Sequence, residues 1–154
     1  MSGIKLFDTF SQDPTYDRYD KRRLGLYLHI PFCRSKCAYC DFYSMVPQND
    51  ELVQRYVNAL IAHMQSYRQG TKEYYVDTVF IGGGTPTCLP TDQLIRLIRA
   101  VKKNFTVTKG AEFTVEANPA TVNTAMLRRL RRAGVNRLSM GLQSANNEEL
   151  AALS

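Results

Sequence analysis

The stretch Leu26-Tyr-Leu-His-Ile-Pro-Phe-Cys33-Arg-Ser-Lys-Cys37-Ala-Tyr-Cys40-Asp-Phe42 is the most informative part of the chain. It places Cys33, Cys37 and Cys40 at C-x3-C-x2-C spacing. Thiolates at three corners of an iron–sulfur cubane leave the fourth iron open, whereas a closed cluster or a structural zinc site takes four protein ligands. The spacing therefore predicts a cluster whose open iron binds a small molecule, and it favours a catalytic role.

Two other uses of the cysteines are open. Zinc would need a fourth ligand from Cys88, His29 or His63, and none of these has the paired spacing of zinc ribbons and fingers. Disulfides need an oxidising compartment, and charged residues interrupt residues 1–23, which have no apolar run of the export type. We therefore expect reduced thiols in the cytoplasm, an N-terminal leader at residues 1–23, and Cys88 as a small buried apolar residue.

The composition is that of an ordinary globular chain. The 154 residues are 44% hydrophobic and 22% charged, and no stretch approaches the ~20 apolar residues of a membrane span. The positive residues behind the net charge of +6 are dispersed, apart from Arg128-Arg129 and Arg131-Arg132. We interpret this cluster as a solvated helix face and expect no nucleic-acid partner.

Strand-like and helix-like periods alternate along the chain, which is typical of a parallel α/β architecture. Apolar alternation predicts strands at about 24–30, 77–81, 112–117 and 136–142. Helical stripes predict helices at about 50–66, 91–105 and 124–133, and a further helix begins near Asn147. The fold is therefore predicted to be α/β, with about four strand-helix units.

Three of the predicted strands have one apolar and one polar face. The apolar faces hold Leu24, Leu26, Leu28 and Ile30, then Phe113 and Val115, then Leu138, Met140 and Leu142. The polar faces hold Tyr27 and His29, then Glu112, Thr114 and Glu116, then Arg137, Ser139 and Gln143. We expect the apolar faces under the helices and the polar faces around a ligand cavity, because barrel interiors are otherwise filled by branched apolar side chains. The alternative is that the polar residues pair with one another in a dry core.

Four segments together resemble the radical S-adenosylmethionine (SAM) superfamily. They are Tyr27-Leu-His-Ile-Pro-Phe-Cys33, Phe80-Ile-Gly-Gly-Gly-Thr-Pro86, Val115-Glu-Ala-Asn-Pro119 and Arg137-Leu-Ser-Met-Gly-Leu-Gln-Ser144. Within the superfamily they are similar to the branch of HemW heme chaperones and oxygen-independent coproporphyrinogen III oxidases. The resemblance implies a barrel of the radical SAM type. Residues 24–154 would form its N-terminal portion, a partial TIM barrel without the family's C-terminal domain, since a full barrel takes about 250 residues.

The resemblance also implies cofactors and the residues that hold them. Cys33, Cys37 and Cys40 would ligate a [4Fe-4S] cluster, and SAM would bind at its open iron. Further cofactor contacts would come from Tyr27, Tyr39, Gly83, Gly84, Thr85, Glu116 and Gln143. A one-electron reductant would drive reductive cleavage of SAM, which requires no general base from the protein. The catalytic side chains therefore stay unknown, and we interpret His29 as a hydrogen-bonded strand residue.

One departure from the family pattern separates the heme chaperones from the oxidases within this branch. The oxidases resemble C-x3-C-x2-C-x-C, whereas this chain has Phe42 where they have the fourth cysteine. The segment Cys40-Asp-Phe-Tyr-Ser44 is similar to the HemW pattern, which implies a heme chaperone for membrane-associated apo-cytochromes of respiration. The alternatives are oxidative decarboxylation of coproporphyrinogen III in porphyrin biosynthesis, a radical SAM enzyme for another substrate, and a non-enzymatic module that binds cluster and SAM.

Overall fold

The strands of the chain form one sheet in which the spatial order follows the chain order. The computed structural model describes residues 4–7 and 21–153. Its strands are β1 (Ile4–Phe7), β2 (Arg22–Ile30), β3 (Tyr74–Gly83), β4 (Val107–Ala117) and β5 (Arg137–Met140). From β3 to β5 each strand is parallel to the one before it, while β1 is antiparallel to β2. The predicted parallel α/β architecture is confirmed.

Helices follow the four parallel strands, as the sequence periodicity predicts. They are α1 (Asp50–Tyr67), α2 (Thr91–Asn104), α3 (Thr124–Ala133) and α4 (Asn147–Ala152). The side chain of Asn49 accepts a hydrogen bond from the backbone N–H of Leu52 and so caps α1. Gly134 ends α3 in the left-handed conformation, with φ of 111°, which glycine adopts without a β-carbon clash. None of the helices in the described ranges is long and apolar enough to cross a membrane.

The core lies between the helices and one face of the sheet. On β2 the predicted apolar face is buried throughout, and Phe113 and Val115 are buried on β4. The stripe that α1 packs against this face consists of Val53, Val57, Leu60 and Met64. The predicted apolar faces of the first and third strands are thus confirmed.

The last strand differs from the prediction. Strand β5 ends at Met140 rather than at 142, and its apolar face is open: Leu138 is 36% exposed, Met140 46% and Leu142 71%. The predicted burial of this face is wrong in the described structure, because neither α3 nor α4 covers it. Instead, a groove of about 330 Å³ runs between α3 and β5, lined in part by Leu127, Leu130 and Leu138.

The N-terminal part adds a strand that the sequence analysis did not anticipate. Residues 4–7, inside the predicted leader 1–23, form β1 and pair with residues 25–28 of β2. Strand β2 itself begins at Arg22, two residues before its predicted start. The rest of the predicted leader, residues 1–3 and 8–20, lies outside the described residues. The division of the chain into a leader and a barrel portion stays a prediction.

Candidate functional site

The carboxyl ends of the parallel strands bring the predicted site segments to one edge of the sheet. Ile30 at the end of β2 is in register with Gly83 at the end of β3, and Ile81 is in register with Val115 of β4. The loops that leave these strands therefore start next to one another. In parallel α/β folds this edge is where ligands bind, because the loops there open on one side.

The three cysteines lie on a segment whose two ends are fixed. We call residues 31–46 the cysteine loop. The backbone N–H of Cys33 donates to the carbonyl of Met45 at 3.0 Å, and the N–H of Met45 donates to the carbonyl of Pro31 at 2.8 Å. Phe32 is buried, and its ring packs edge-on against Tyr56 of α1 with 5.2 Å between ring centroids. These contacts close the loop at its base and anchor it to α1.

The thiols on this loop are not paired in disulfides and are partly accessible. Cys33, Cys37 and Cys40 are free and half-buried, and the N–H of Cys40 donates to the carbonyl of Cys37 at 3.1 Å. Tyr39 lies between Cys37 and Cys40 on the exposed side of the cysteine loop. Partial burial, together with the neighbouring Cys37, raises the pKa of Tyr39. In the ranges 4–7 and 21–153, no three His, Cys, Asp or Glu side chains are gathered around a common point as a metal site.

The donor set nevertheless fits an iron–sulfur cluster. Thiolates are the ligands that such clusters take, and one short loop supplies three of them. The hydroxyl of Ser44, on the same loop, is buried and has no hydrogen-bond partner among the described residues. A buried hydroxyl of this kind is satisfied by a water or by a ligand. If the three thiols ligate a metal, they would converge as it binds, as is usual where binding and local ordering are coupled.

The glycine-rich segment after β3 holds the first cysteine in place. The N–H of Gly84 donates to the carbonyl of Ile30 at 2.8 Å, and the N–H of Thr85 donates to the carbonyl of Phe32 at 2.7 Å. A β-carbon on Gly84 would lie 2.7 Å from the carbonyl oxygen of Phe32 and 2.9 Å from Sγ of Cys33. Gly83 adopts φ of 117°, where other residues are strained. Both glycines are therefore required by close backbone approach.

Two more side chains surround the Cys33 thiol. The hydroxyl of Thr85 lies 3.6 Å from Sγ of Cys33. Cys88, predicted to be a buried apolar residue, is only half-buried. Burial raises the pKa of the Cys88 thiol, a hydrogen bond with the backbone of Arg34 lowers it, and the nearby Cys33 raises it further. Cys33 thus lies in a more crowded environment than the exposed end of the cysteine loop.

Polar side chains on the other face of the sheet form a connected group next to the glycines. The hydroxyl of Tyr27 and Nδ1 of His29 are 3.0 Å apart, and Nε2 of His29 lies 3.1 Å from the carbonyl oxygen of Tyr43. Oε2 of Glu116 accepts a hydrogen bond from the N–H of Gly83 at 3.0 Å. Burial, and then the charge of Glu116, raise the pKa of Tyr27. The interpretation of His29 as a hydrogen-bonded strand residue is confirmed.

Further down the same face, polar residues pair with one another. Arg137 of β5 donates to Oε1 of Glu112 at 2.9 Å and to the hydroxyl of Thr114 at 3.4 Å. Thr114 also donates to Glu112 at 3.1 Å and is fully buried. These residues do pair, but not in a dry core as the alternative had it, because the side chains of Arg137 and Glu112 are about half exposed. Tyr27, His29 and Glu116 lie nearer the carboxyl ends of the strands.

Gln143 stands apart from the other predicted contacts. It is exposed, lies three residues beyond the end of β5, and has a positive φ of 61°. Its side chain folds back toward Gly141, where a β-carbon would lie 2.5 Å from Nε2 of Gln143. Tyr27, Gly83, Gly84, Thr85 and Glu116 are brought together. Gln143 has no hydrogen bond to them among the described residues.

Two residues that the sequence analysis did not single out help to build the site. Nη1 of Arg34 donates to the carbonyl of Ala120 at 3.1 Å, which ties the cysteine loop to the loop after β4. The hydroxyl of Tyr56 donates to the carbonyl of His29 at 2.6 Å, and burial raises the pKa of Tyr56 to about 12. Tyr56 is partly buried beside the apolar stripe of α1, and no local sequence pattern indicates that its hydroxyl bonds to β2.

Residues 27–153 match the family described as the Radical SAM superfamily. This match covers the cysteine loop, the glycine-rich segment and strands β3 to β5.

Related proteins of two kinds are found. The heme chaperone HemW of Escherichia coli strain K12 is 43% identical over 135 residues, which are 84% of this chain and 34% of the relative. The oxygen-independent coproporphyrinogen III oxidase of the same strain is 37% identical over 134 residues, which are 85% of this chain and 29% of the relative. The chain thus spans about a third of the length of these curated relatives.

A solved structure resembles the fold over nearly the whole chain. It is that of coproporphyrinogen III oxidase (HemN) from Escherichia coli, described as a radical SAM enzyme. The superposition has a TM-score of 0.82 at 32% sequence identity and covers 97% of this chain and 35% of the other. The predicted radical SAM resemblance is confirmed by sequence and by structure.

Proposed function

We propose that this chain is the cluster-binding and SAM-binding part of a heme chaperone. The chain belongs to the radical SAM superfamily, and within it to the branch of HemW-like and HemN-like proteins. The family implies a [4Fe-4S] cluster and SAM in general terms. We assign the cluster to Cys33, Cys37 and Cys40. When bound, the cluster supplies the electron for reductive cleavage of SAM.

The chain's own residues would hold these groups in place. The Gly83-Gly84-Thr85 segment would lie along the amino-acid end of SAM and present backbone carbonyls to its ammonium group, while the space that β-carbons on the two glycines would fill is taken by His29, Phe32 and Cys33. Glu116 uses one hydrogen bond on Gly83, and a carboxylate accepts several, which leaves capacity for the ribose hydroxyls of SAM. Tyr27 would contact the cofactor from the sheet.

Two further cofactor contacts would come from outside this group. Tyr39 lies on the cysteine loop beside Cys37 and would pack on the cofactor from the rim. Gln143 would reach the cofactor only if the segment after β5 turned inward, since its side chain now folds toward Gly141.

Phe42 is the observation that carries the chaperone rather than the oxidase. It stands where the oxidase pattern has a fourth cysteine, and its side chain is 70% exposed on the cysteine loop. Tyr39 and Tyr43, close by on the loop, are 49% and 72% exposed. Exposed apolar patches mark binding surfaces, and flat aromatic rings suit a porphyrin plane. We infer that heme would bind at this surface.

The remaining parts of the proposal follow from the chaperone role. Heme would be handed to a membrane-associated apo-cytochrome, and a one-electron reductant would serve the cluster. The location would be cytoplasmic, because thiol ligands must stay reduced to bind iron. Oxidative decarboxylation of coproporphyrinogen III is the second candidate, favoured by the structural likeness to HemN.

Iron and sulfide content after anaerobic reconstitution tests the cluster assignment. We expect Cys33→Ala, Cys37→Ala and Cys40→Ala each to lose the bound iron and sulfide and the visible absorption of the cluster. Cys88→Ala is the matched control, since Cys88 lies near Cys33 without belonging to the ligand set. A full complement of iron in Cys37→Ala would disprove the assignment.

Heme binding and porphyrin production separate chaperone from oxidase. We expect hemin to bind the reconstituted chain, and Phe42→Ala to bind it more weakly than the control Leu142→Ala, which removes an equally exposed apolar side chain elsewhere. Incubation with reductant, SAM and coproporphyrinogen III should leave the porphyrinogen unchanged. If coproporphyrinogen III is decarboxylated to a vinyl porphyrinogen while 5'-deoxyadenosine rises in step, the oxidase replaces the chaperone.

A further inference from the structure

The positive charge of the chain is concentrated on two neighbouring helices. Helices α2 and α3 carry eight of the 20 Lys and Arg residues and only one of the 14 Asp and Glu residues, Asp92. The remaining twelve basic and thirteen acidic residues nearly cancel. The net charge of +6 therefore comes from these two helices, which is a sharper asymmetry than the dispersed pattern expected from sequence.

These charges point to solvent on one continuous surface. We define the basic face by its exposed residues, which are Arg99, Lys102, Lys103, Arg128, Arg129, Arg131 and Arg132. The side chain of Lys102 donates to the carbonyl of Ala133 at 2.5 Å, and Arg129 forms an ion pair with Asp92. These two contacts hold α2 and α3 side by side.

Most of the basic face lacks acidic partners. Asp92 is its one carboxylate, and the hydrogen bond and charge of Arg129, together with the charge of Arg99, lower the pKa of Asp92. The other ion pairs found in residues 21–153 join Arg23 to Asp77 and Arg137 to Glu112, away from this surface. The five remaining side chains of the basic face therefore create a positive electrostatic potential over this surface. They are Lys102, Lys103, Arg128, Arg131 and Arg132.

The surface around these charges has few features of a protein interface. Of the large apolar side chains that are exposed in the described ranges, none lies on α2 or α3. Specific protein interfaces centre on buried aromatic or apolar anchors, and lysine is depleted there. Two helices of about 10–12 Å diameter, packed side by side, are also about 20 Å wide, too wide for a DNA major groove of about 12 Å. A broad surface of one charge is suited to a flat anionic partner.

We propose that the basic face binds the surface of an anionic lipid bilayer. Binding is electrostatic and peripheral, since neither α2 nor α3 carries a large exposed apolar side chain that could insert. It orients the chain with α2 and α3 toward the lipid, while the cysteine loop at the carboxyl ends of the strands stays in water. It depends on neither cluster nor heme, so it can be tested without them.

Sedimentation with lipid vesicles tests this surface. The chain is mixed with phosphatidylcholine vesicles, with or without equimolar phosphatidylglycerol, at low and raised salt. We compare it with the double variant Arg128→Gln/Arg132→Gln and with a control of equal net charge, Lys72→Gln/Lys109→Gln, which changes exposed lysines outside the two helices. Circular dichroism confirms that all three proteins are folded to the same extent.

The expected result is binding to phosphatidylglycerol vesicles that raised salt abolishes, without binding to phosphatidylcholine alone. Each charge near an anionic membrane contributes about five-fold in partitioning, or about 1 kcal/mol, so the double variant should bind about 25-fold more weakly than the control. Equal binding of the two double variants would overturn the proposal. So would a double variant that loses binding to duplex DNA but keeps binding to the vesicles, which would identify a nucleic-acid surface instead.

Discussion

Gly84→Ala should loosen the cysteine loop and weaken cluster binding together. The added β-carbon would meet the carbonyl oxygen of Phe32 at 2.7 Å and Sγ of Cys33 at 2.9 Å, whereas ordinary contacts begin at 3.4 Å. The Phe32 carbonyl is bound to the N–H of Thr85 and cannot move aside freely. Overpacking of this kind costs about 1–3 kcal/mol. With a urea slope of about 2 kcal/mol per molar, the unfolding midpoint should fall by about 1 M.

The measurements are urea unfolding followed by circular dichroism, and iron content after anaerobic reconstitution. Because Cys33 is one of the displaced groups, we expect Gly84→Ala to bind less iron even in buffer where it is fully folded. Gly110→Ala is the control, since a β-carbon at Gly110 would have no atom within 4 Å, and its stability should change by less than about 0.5 kcal/mol. Wild-type stability and a full iron content in Gly84→Ala would refute the reasoning.

Three further substitutions test single contacts. Thr85→Val removes the hydroxyl 3.6 Å from Sγ of Cys33. Taking about 1 kcal/mol for this hydrogen bond, the midpoint potential of the reconstituted cluster should fall by about 40 mV. Redox titration followed by electron paramagnetic resonance measures the potential, and Thr85→Ser should keep most of it. Tyr56→Phe removes the bond to the carbonyl of His29 and should cost about 1 kcal/mol in urea unfolding at neutral pH. Since the folded-state pKa of Tyr56 is raised to about 12, its stabilisation is complete below pH 10 and is lost as the pH rises from 10 to 12, a loss that the variant should lack. Asn123→Ala removes the side-chain cap of α3 and should lower the free energy of unfolding by about 1 kcal/mol, and an unchanged urea midpoint would show that water replaces the cap.

Much of the fold could be predicted from local sequence patterns. The burial of Leu24 to Ile30 on alternate positions of β2 follows from a period of two, and the end of α3 follows from Gly134. The exposure of Leu138 and Met140 could not be predicted in this way. The apolar pattern shows only that this strand face is suited to burial. The packing of segments far away in the chain decides whether a helix covers the face.

The candidate site was predictable in its parts and less so in its arrangement. The spacing of the cysteines and the Gly83-Gly84-Thr85 segment were evident from sequence, because each requires particular residue types. The bond from Arg34 to the carbonyl of Ala120 joins two loops that are far apart in the chain, and no local pattern indicates it. The pairing of Arg137 with Glu112 depends on the register of β4 and β5, which a face pattern leaves open.

The order of the strands in the sheet is also the order in which a ribosome makes them. Each parallel strand pairs with the strand synthesised just before it, so the pairing partner of every new strand-helix unit has already been made. The hydrogen bonds that close the cysteine loop and hold Cys33 use residues no later than Thr85. All the residues that close the cysteine loop are therefore made before β4 and β5, while the bond from Arg34 to Ala120 can form only after β4 is made.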